Sequence, residues 1–155
     1  MSELRRILVV EDDERDVELI ERSLRTGGLA NRMDVVHDGL EALDYLLTEG
    51  EFVGRTTGEP AAILLDINMP RMGGIELLRH IRSTSALASL PVVFLTSSRE
   101  EEDLLRAYRL GVNGYVVKPV SFSAFLEAIA TVGAYWAVVN EPPGIEGEIS
   151  RRNPK

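Results

Sequence analysis

The chain has 155 residues and a mass of 17.2 kDa, the size of a single domain with a substantial core. Its 25 acidic residues outnumber its 17 basic ones, and the resulting net charge of −8, without any basic run, argues against nucleic-acid partners. Because the sequence contains no cysteine, disulfides, iron–sulfur clusters and thiol nucleophiles are excluded.

Short apolar runs alternate with amphipathic stretches along the chain. The apolar runs predict strands at 7–10, 34–36, 61–65, 91–95 and 115–117. A helical pattern follows each strand, and the residues that define these patterns are Val17, Ile20 and Leu24; Leu40, Leu43, Leu46 and Leu47; Ile75, Leu78 and Ile81; Leu104, Leu105 and Tyr108; and a last run that begins near Ser121. Five strands that alternate with five helices predict an α/β fold built on a doubly wound, parallel, five-stranded sheet.

The same pattern indicates one domain at residues 1–140. Residues 49–60 contain three glycines, two threonines and Pro60, which predicts a loop. Residues 141–155 are rich in Gly, Pro and charge, and we expect them to form a flexible tail. Near the start, Asp12 and Asp13 leave no apolar run for a secretory signal, so we expect a cytoplasmic protein.

Side chains capable of chemistry follow four of the predicted strands. The first strand ends at Glu11 and Asp12, the third at Asp66, the fourth at Thr96 and the fifth at Lys118. Because the carboxyl ends of parallel strands share one edge of the sheet, where ligands of such folds bind, these side chains are expected to converge. Carboxylates brought so close repel one another unless a cation such as Mg²⁺ binds between them.

The acids after the first strand also have a purely structural explanation. Glu11, Asp12 and Asp13 precede a predicted helix, where acidic side chains act as caps and interact favourably with the helix dipole. Asp66 has no such explanation, because the following Asn68 and Pro70 prevent a helix from starting at once.

Lys118 is unusual in this composition. Fifteen of the 17 basic residues are Arg, and the second lysine, Lys155, is the last residue of the chain. A lone internal Lys in such a chain suggests a position that needs a compact ammonium group. The alternative is a lysine that merely extends its ammonium to solvent at a strand end. Pro119 restricts Lys118 to extended backbone, which projects the side chain over the strand edge.

Four ordered motifs at strand ends resemble the receiver domain of two-component response regulators: LVVEDD at 8–13, LLDINMP at 64–70, LTSS at 95–98 and YVVKP at 115–119. The resemblance covers residues 4–140 and implies the flavodoxin-like receiver fold. Within the family, the chain is most similar to stand-alone receivers that serve phytochrome-type sensor kinases. The pointers are the long loop before Pro60, the sequence from Asn68 to Pro70, and Tyr135 with Trp136.

The resemblance implies a role for each site residue. Asp66 would accept a phosphoryl group from a histidine kinase. Asp12 and Asp66 would bind Mg²⁺ directly, Glu11 would bind it through water, and Asn68 would contribute its backbone carbonyl. Lys118 would pair with a phosphoryl oxygen. Thr96 would close on another, although its hydroxyl could instead only bond its own backbone.

The resemblance also implies a switch. Tyr115 would swing inward as Thr96 shifts and would alter the surface of the fourth helix and fifth strand, although an aromatic residue in a strand is usually a packing residue. Asn68 and Ser98 lie where the family tunes hydrolysis of the acyl phosphate. The chain departs from the family pattern at Gly73, where a small polar residue usually caps the third helix.

The last helical stretch carries more apolar surface than one sheet face can cover. From residue 122 to residue 139 the clearly polar residues are Ser123, Glu127 and Thr131, which form one narrow stripe. A membrane span would detach this helix from its sheet, so we expect none. We expect instead a homodimer through the fourth helix, fifth strand and fifth helix; the alternative is a tail that folds over the stripe.

These observations favour a phosphoaccepting signalling module over an enzyme that acts on external substrates. The second hypothesis is a small aspartyl-phosphate phosphatase with Asp66 as nucleophile, but Asn68 stands where such enzymes carry their general acid. A flavodoxin-like cofactor binder would need a Gly/Ser/Thr-rich phosphate loop, and a DNA-binding regulator would need a helix-turn-helix after residue 140. His37 and His80 are isolated, which argues against zinc catalysis.

Overall fold

The computed structural model describes residues 6–29, 33–56 and 58–141. The strands are β1 (Ile7–Val10), β2 (Met33–Val36), β3 (Ala62–Leu65), β4 (Val92–Thr96) and β5 (Gly114–Val117). The α-helices are α1 (Glu14–Thr26), α2 (Gly39–Leu47), α3 (Gly74–Ser83), α4 (Glu101–Arg109) and α5 (Phe122–Ala134).

Within the described ranges, the strands form one parallel sheet in the order β2-β1-β3-β4-β5. This arrangement confirms the predicted doubly wound fold. The chain runs outward from β1 to β2, returns to β3 beside β1, and then adds β4 and β5 on the far side. The strand order reverses between β1 and β3, so the loops that follow these two strands lie at the topological switch point where ligands bind in such sheets.

Two apolar cores cover the two faces of the sheet. Alternate residues of β1 point to opposite faces, so Leu8 and Val10 lie in one core while Ile7 and Val9 lie in the other. The first core is packed by α2, α3 and α4, and the second by α1 and α5. Burial on both faces explains why β1 and β3 are apolar throughout and β4 is apolar up to its last residue, Thr96.

The structure adds two details that the sequence pattern did not predict. A single 3₁₀ turn, Gly50–Phe52, lies inside the predicted loop at 49–60. The last helix ends its α-helical part at Ala134 and continues as a π-helical turn, Tyr135–Val139. The predicted tail at 141–155 lies outside the described residues except for Glu141.

By length and hydropathy alone, the segment Phe122–Val139 is the one described helical stretch that would suffice to cross a membrane. Phe125 and Ile129 of this segment are buried against the sheet, in the core beneath α1 and α5. Its other apolar residues are more exposed, among them Tyr135, Val138 and Val139.

Candidate functional site

The backbone brings the predicted site residues to one edge of the sheet, called here the carboxyl edge. β1, β3 and β5 end at Val10, Leu65 and Val117, and the next residue in each case is Glu11, Asp66 or Lys118. The ladder continues past the strands, because Asp66 N–H donates to Val10 C=O at 3.2 Å and Lys118 N–H donates to Thr96 C=O at 2.8 Å.

Lys118 is the centre of the cluster. Its Nζ donates to Asp16 Oδ2 at 2.6 Å, to Glu11 Oε2 at 2.8 Å and to Asp66 Oδ2 at 3.1 Å. Its side chain is only 12% exposed. Burial lowers the pKa of Lys118, but its hydrogen bonds with Asp16 and Glu11 outweigh burial and raise the pKa well above its ordinary value. The ammonium is therefore charged at neutral pH, and each of its three N–H donors has a carboxylate partner.

Glu11 is almost completely buried, at 2% exposure. Burial raises the pKa of Glu11 to about 7, while the hydrogen bond from Lys118 opposes that rise. A second hydrogen bond, from Asp13 N–H to Glu11 Oε1 at 3.1 Å, fixes the carboxyl in place. Without another cation, this carboxyl is protonated in a large part of the molecules near neutral pH.

The residues at the carboxyl edge fit a hard divalent cation. Carboxylate oxygens of Glu11, Asp12 and Asp66 all lie within 4.8 Å of one another, so one ion can contact all three residues. The available ligands are oxygens, which Mg²⁺ and Mn²⁺ prefer. The single ammonium of Lys118 faces three carboxylates, since Asp16 joins Glu11 and Asp66 around it, and that excess of negative charge favours binding of a cation.

Asn68 lies beside this cluster. Its backbone N–H donates to Asp66 Oδ1 at 3.3 Å, and the residue itself is exposed. Lys118 Nζ donates to the other oxygen, Asp66 Oδ2. The Asn68 backbone and the Lys118 ammonium therefore bind different oxygens of the same carboxylate.

Thr96 is completely buried at the end of β4. Its Oγ1 accepts a hydrogen bond from Ser98 N–H at 3.3 Å, which is the local backbone contact expected of an ordinary strand-end threonine. Ser98 Oγ in turn donates to Asp103 Oδ2 at 2.6 Å. Ser98 therefore connects the loop to both flanking elements, to Thr96 at the end of β4 and to Asp103 in α4.

Tyr115 joins this loop to β5. Its hydroxyl donates to Ser98 C=O at 3.1 Å, and its ring centroid lies 5.9 Å from that of Phe94. Burial raises the pKa of Tyr115 above its ordinary value. The Tyr115 ring therefore packs against Phe94, while its hydroxyl is bound to Ser98 in the loop after Thr96. A movement of that loop would change the hydroxyl's hydrogen bond.

Capping explains part of the acidic run. Asp13 is the N-cap of α1 and accepts hydrogen bonds from Arg15 N–H and Asp16 N–H. Glu11 and Asp12 are not caps, and both belong to the acidic cluster. As expected, Gly73 precedes α3 as its N-cap residue and provides no side-chain cap.

Sequence reasoning missed Asp16. It lies in the first turn of α1 and makes the shortest contact to Lys118. A signal was available, because α1 starts at the carboxyl edge and one side of its first turn lies beside the cation expected there. Asp16 can be predicted to face the carboxyl edge only after Asp13 is identified as the N-cap, because the position of the cap determines which residues of the first turn face that edge.

Comparison with protein families identifies most of the chain. Residues 7–130 match the family described as response regulator receiver domain. A curated relative, the probable methanogenesis regulatory protein FilR2 of Methanothrix harundinacea, is 40% identical over 139 residues, which cover 89% of this chain and 87% of FilR2.

A second relative is the response regulator Rcp1 of Synechocystis sp., 33% identical over 130 residues, covering 84% of this chain and 87% of Rcp1. The crystal structure of the Mn²⁺-bound form of a response regulator Rcp1 superposes on this chain with a TM-score of 0.82 at 31% identity, and the match covers 90% of this chain and 99% of that one. The structure of the bacteriophytochrome response regulator RtBRR superposes on this chain with a TM-score of 0.72 at 52% identity. The match covers 96% of this chain and 90% of RtBRR.

Proposed function

This chain belongs to the response regulator receiver domain family, and on that premise we propose that Asp66 accepts a phosphoryl group from the phosphohistidine of a sensor histidine kinase. The observation that carries the proposal is the position of Lys118 Nζ, 3.1 Å from Asp66 Oδ2 at the edge where Glu11 and Asp12 also lie. A nucleophilic carboxylate beside a buried ammonium and two further acids suits phosphoryl transfer, which depends on positioning and charge neutralisation.

The transfer itself is a displacement at phosphorus. A carboxylate oxygen of Asp66 forms the new O–P bond as the N–P bond of the phosphohistidine breaks, and the imidazole leaves with the electron pair. Lys118 then exchanges its contact with Asp66 for one with a phosphoryl oxygen. Its raised pKa keeps it charged throughout this exchange.

We also propose that the site holds Mg²⁺ through Asp12, Asp66 and the backbone carbonyl of Asn68, with Glu11 acting through water. When bound, the ion would neutralise charge on the transferred phosphoryl group. The excess of carboxylates over ammonium groups supports this assignment, as does the Mn²⁺-bound form of the similar Rcp1.

Phosphorylation would be transmitted through Thr96 and Tyr115. Thr96 Oγ1 accepts from Ser98 N–H, and the Tyr115 hydroxyl donates to the carbonyl of the same Ser98, so a shift of Thr96 toward the phosphoryl group would be passed to Tyr115 through Ser98. The phosphorylated state would therefore favour a second arrangement of the α4–β5–α5 surface. Asn68 and Ser98, which flank the site, would set how fast the acyl phosphate hydrolyses.

The partners follow from this role. We propose a phytochrome-type sensor kinase as phosphodonor, since the similar RtBRR is described as a bacteriophytochrome response regulator. The protein would act in the cytoplasm as a stand-alone receiver at residues 1–140, as a homodimer through α4–β5–α5, with its output through an unidentified protein. Asn68 at the position of a phosphatase's general acid disfavours the alternative of an enzyme acting on external substrates.

The test is intact-mass analysis after incubation with acetyl phosphate and Mg²⁺. We expect the wild type to gain one base-labile phosphoryl group, and to gain none when EDTA replaces Mg²⁺ or when Asp66 is changed in Asp66→Asn. Asp13→Asn is the matched control, because Asp13 is a neighbouring acid that only caps α1, and this variant is expected to be labelled normally. Equal labelling of wild type and Asp66→Asn would overturn the proposal.

A further inference from the structure

The loop between Asp66 and α3 has an unusual backbone turn. Arg71 has a φ of 63°, in the left-handed region that residues other than glycine rarely adopt. Met72 N–H donates to Pro70 C=O at 2.8 Å, which closes a three-residue γ-turn around Arg71. A γ-turn with positive φ is rare and strained, so other contacts must hold it in place.

One of these contacts is an ion pair with the start of α2. Arg71 Nε donates to Asp38 Oδ2 at 2.7 Å. The Asp38 side chain is 10% exposed, and its other oxygen accepts Glu41 N–H at 2.9 Å as the N-cap of α2. One buried carboxylate thus joins the strained turn to a helix that is itself anchored in the core.

The second contact is made by the backbone of the same junction. Gly39 N–H donates to Met72 C=O at 3.1 Å. A Cβ atom on Gly39 would lie 2.6 Å from that carbonyl oxygen, so only glycine permits this approach. The start of α2 therefore contacts the turn at two points: the Asp38 side chain binds Arg71, and the Gly39 backbone binds Met72.

The loop is short and is fixed at its other end by the site itself. Asn68 N–H bonds to the Asp66 carboxylate, and Gly74 N–H donates to Ile67 C=O at 2.8 Å. A displacement of the turn at Arg71 must therefore be absorbed between Ile67 and Gly74, in the short segment that includes Asn68.

We propose that Asp38 and Arg71 are positioning residues for the divalent-cation site. Their ion pair holds the strained turn so that the backbone carbonyl of Asn68 stays beside Asp66. This inference rests on the proposed roles of Asp66 and Asn68 in binding the cation. Neither Asp38 nor Arg71 contacts the cation, and both act through the loop.

The test measures Mg²⁺ affinity by isothermal titration calorimetry, together with the Mg²⁺ dependence of labelling by acetyl phosphate. Asp38→Asn keeps the cap on α2 but removes the charge that binds Arg71. We expect its Kd for Mg²⁺ to rise about tenfold. This is the lower end of the loss of affinity found when a group that supports a metal ligand is removed. Labelling at saturating Mg²⁺ should equal that of the wild type, which separates affinity from chemistry.

Two further variants isolate the ion pair. Arg71→Gly accepts the positive φ without strain but has no guanidinium, so it should weaken Mg²⁺ binding as Asp38→Asn does. Arg71→Lys retains a cation for Asp38 and should recover most of the affinity. Wild-type affinity in both Asp38→Asn and Arg71→Gly would overturn the inference.

Asp34→Asn is the matched control. Asp34 forms an ion pair of the same length with Arg6, 2.7 Å, toward the opposite end of the sheet. We expect this variant to lower the melting temperature and to leave the Kd for Mg²⁺ unchanged. An equal loss of affinity in Asp34→Asn would show a general stability effect and would contradict the inference. A wild type that binds no Mg²⁺ would refute the proposed function and this inference together.

Discussion

At the scale of single residues, the site is organised by one cation among several acids. Lys118 contacts Glu11, Asp16 and Asp66 at once, and its own charge cannot balance all three. Burial, with a smaller contribution from the neighbouring charge of Asp66, raises the pKa of Glu11 to about 7. Charge balance at the carboxyl edge therefore depends on pH and on the supply of divalent cation.

This balance predicts an unusual pH dependence of stability. The pKa of Glu11 is about 7 in the folded protein against an ordinary 4.5, so between these values the folded state binds a proton that the unfolded state lacks. In EDTA, the free energy of unfolding should therefore fall as pH rises from 5 to 8, by about 1–3 kcal/mol at about 1.4 kcal/mol for each unit. Thermal melts across this range measure the slope.

Two controls belong to that measurement. Asp13, Asp34 and Asp38 have lowered pKa values and stay ionised in both states across this range, so they add no slope. Glu11→Gln should flatten the slope, and Mg²⁺ should stabilise the wild type most at pH 8, where Glu11 is ionised. A slope that Glu11→Gln leaves unchanged would contradict the assignment.

At the scale of elements, the sheet positions the site and the loops complete it. β1, β3 and β5 each end directly before a site residue, so the register of the parallel sheet places Glu11, Asp66 and Lys118 together. α3 is less well supported, because it starts at two glycines and has no side-chain cap.

The two glycines at the start of α3 should differ in how strongly substitution affects stability. A Cβ on Gly74 would lie 2.3 Å from Asp66 C=O and 2.8 Å from Phe94, so we expect Gly74→Ala to cost about 1–3 kcal/mol by overpacking. Gly73 has φ −77° and ψ 171°, which suits a capping serine, but its Cβ would lie 3.1 Å from Ile67 C=O, so we expect the gain from the cap to be offset and Gly73→Ser to change stability by less than about 0.5 kcal/mol. Urea denaturation measures both, and a Gly74→Ala protein as stable as wild type would contradict the packing argument.

At the scale of the whole molecule, an apolar surface remains uncovered within the described residues. Tyr135, Val138 and Val139 after α5 are 46%, 59% and 68% exposed, and Leu105 and Tyr108 on α4 are 46% and 53% exposed. Large apolar side chains left exposed on neighbouring elements are typical of a protein–protein contact when they form a continuous patch. It is the surface on which we place the proposed homodimer.

Sedimentation velocity tests this placement. We expect the wild type to sediment as a dimer at micromolar concentration and Val138→Asp to sediment as a monomer. Val53→Asp is the control, since Val53 is 75% exposed in the loop after α2, away from this surface, and should leave the dimer intact. A wild type that is monomeric at high micromolar concentration, phosphorylated or not, would contradict the dimer.

Much of this molecule could be predicted from its sequence because the strands are buried on both faces and read as continuous apolar runs. The convergence of Glu11, Asp66 and Lys118 followed from that topology alone. The contact of Asp16 with Lys118 is predictable only once Asp13 is known to be the cap of α1, and the contact of Asp38 with Arg71 could not be predicted, because it depends on the direction of a strained loop. The π-helical turn after Ala134 likewise has no periodic signal that separates it from α-helix.

The central claim is that Asp66 receives the phosphoryl group, and the most direct test locates the acyl phosphate chemically. Borohydride reduces an aspartyl phosphate to homoserine, which peptide mass mapping assigns to one residue. After labelling with acetyl phosphate and Mg²⁺, we expect homoserine at position 66 alone. Homoserine at position 12, or phosphate retained on a serine, threonine or histidine, would contradict it.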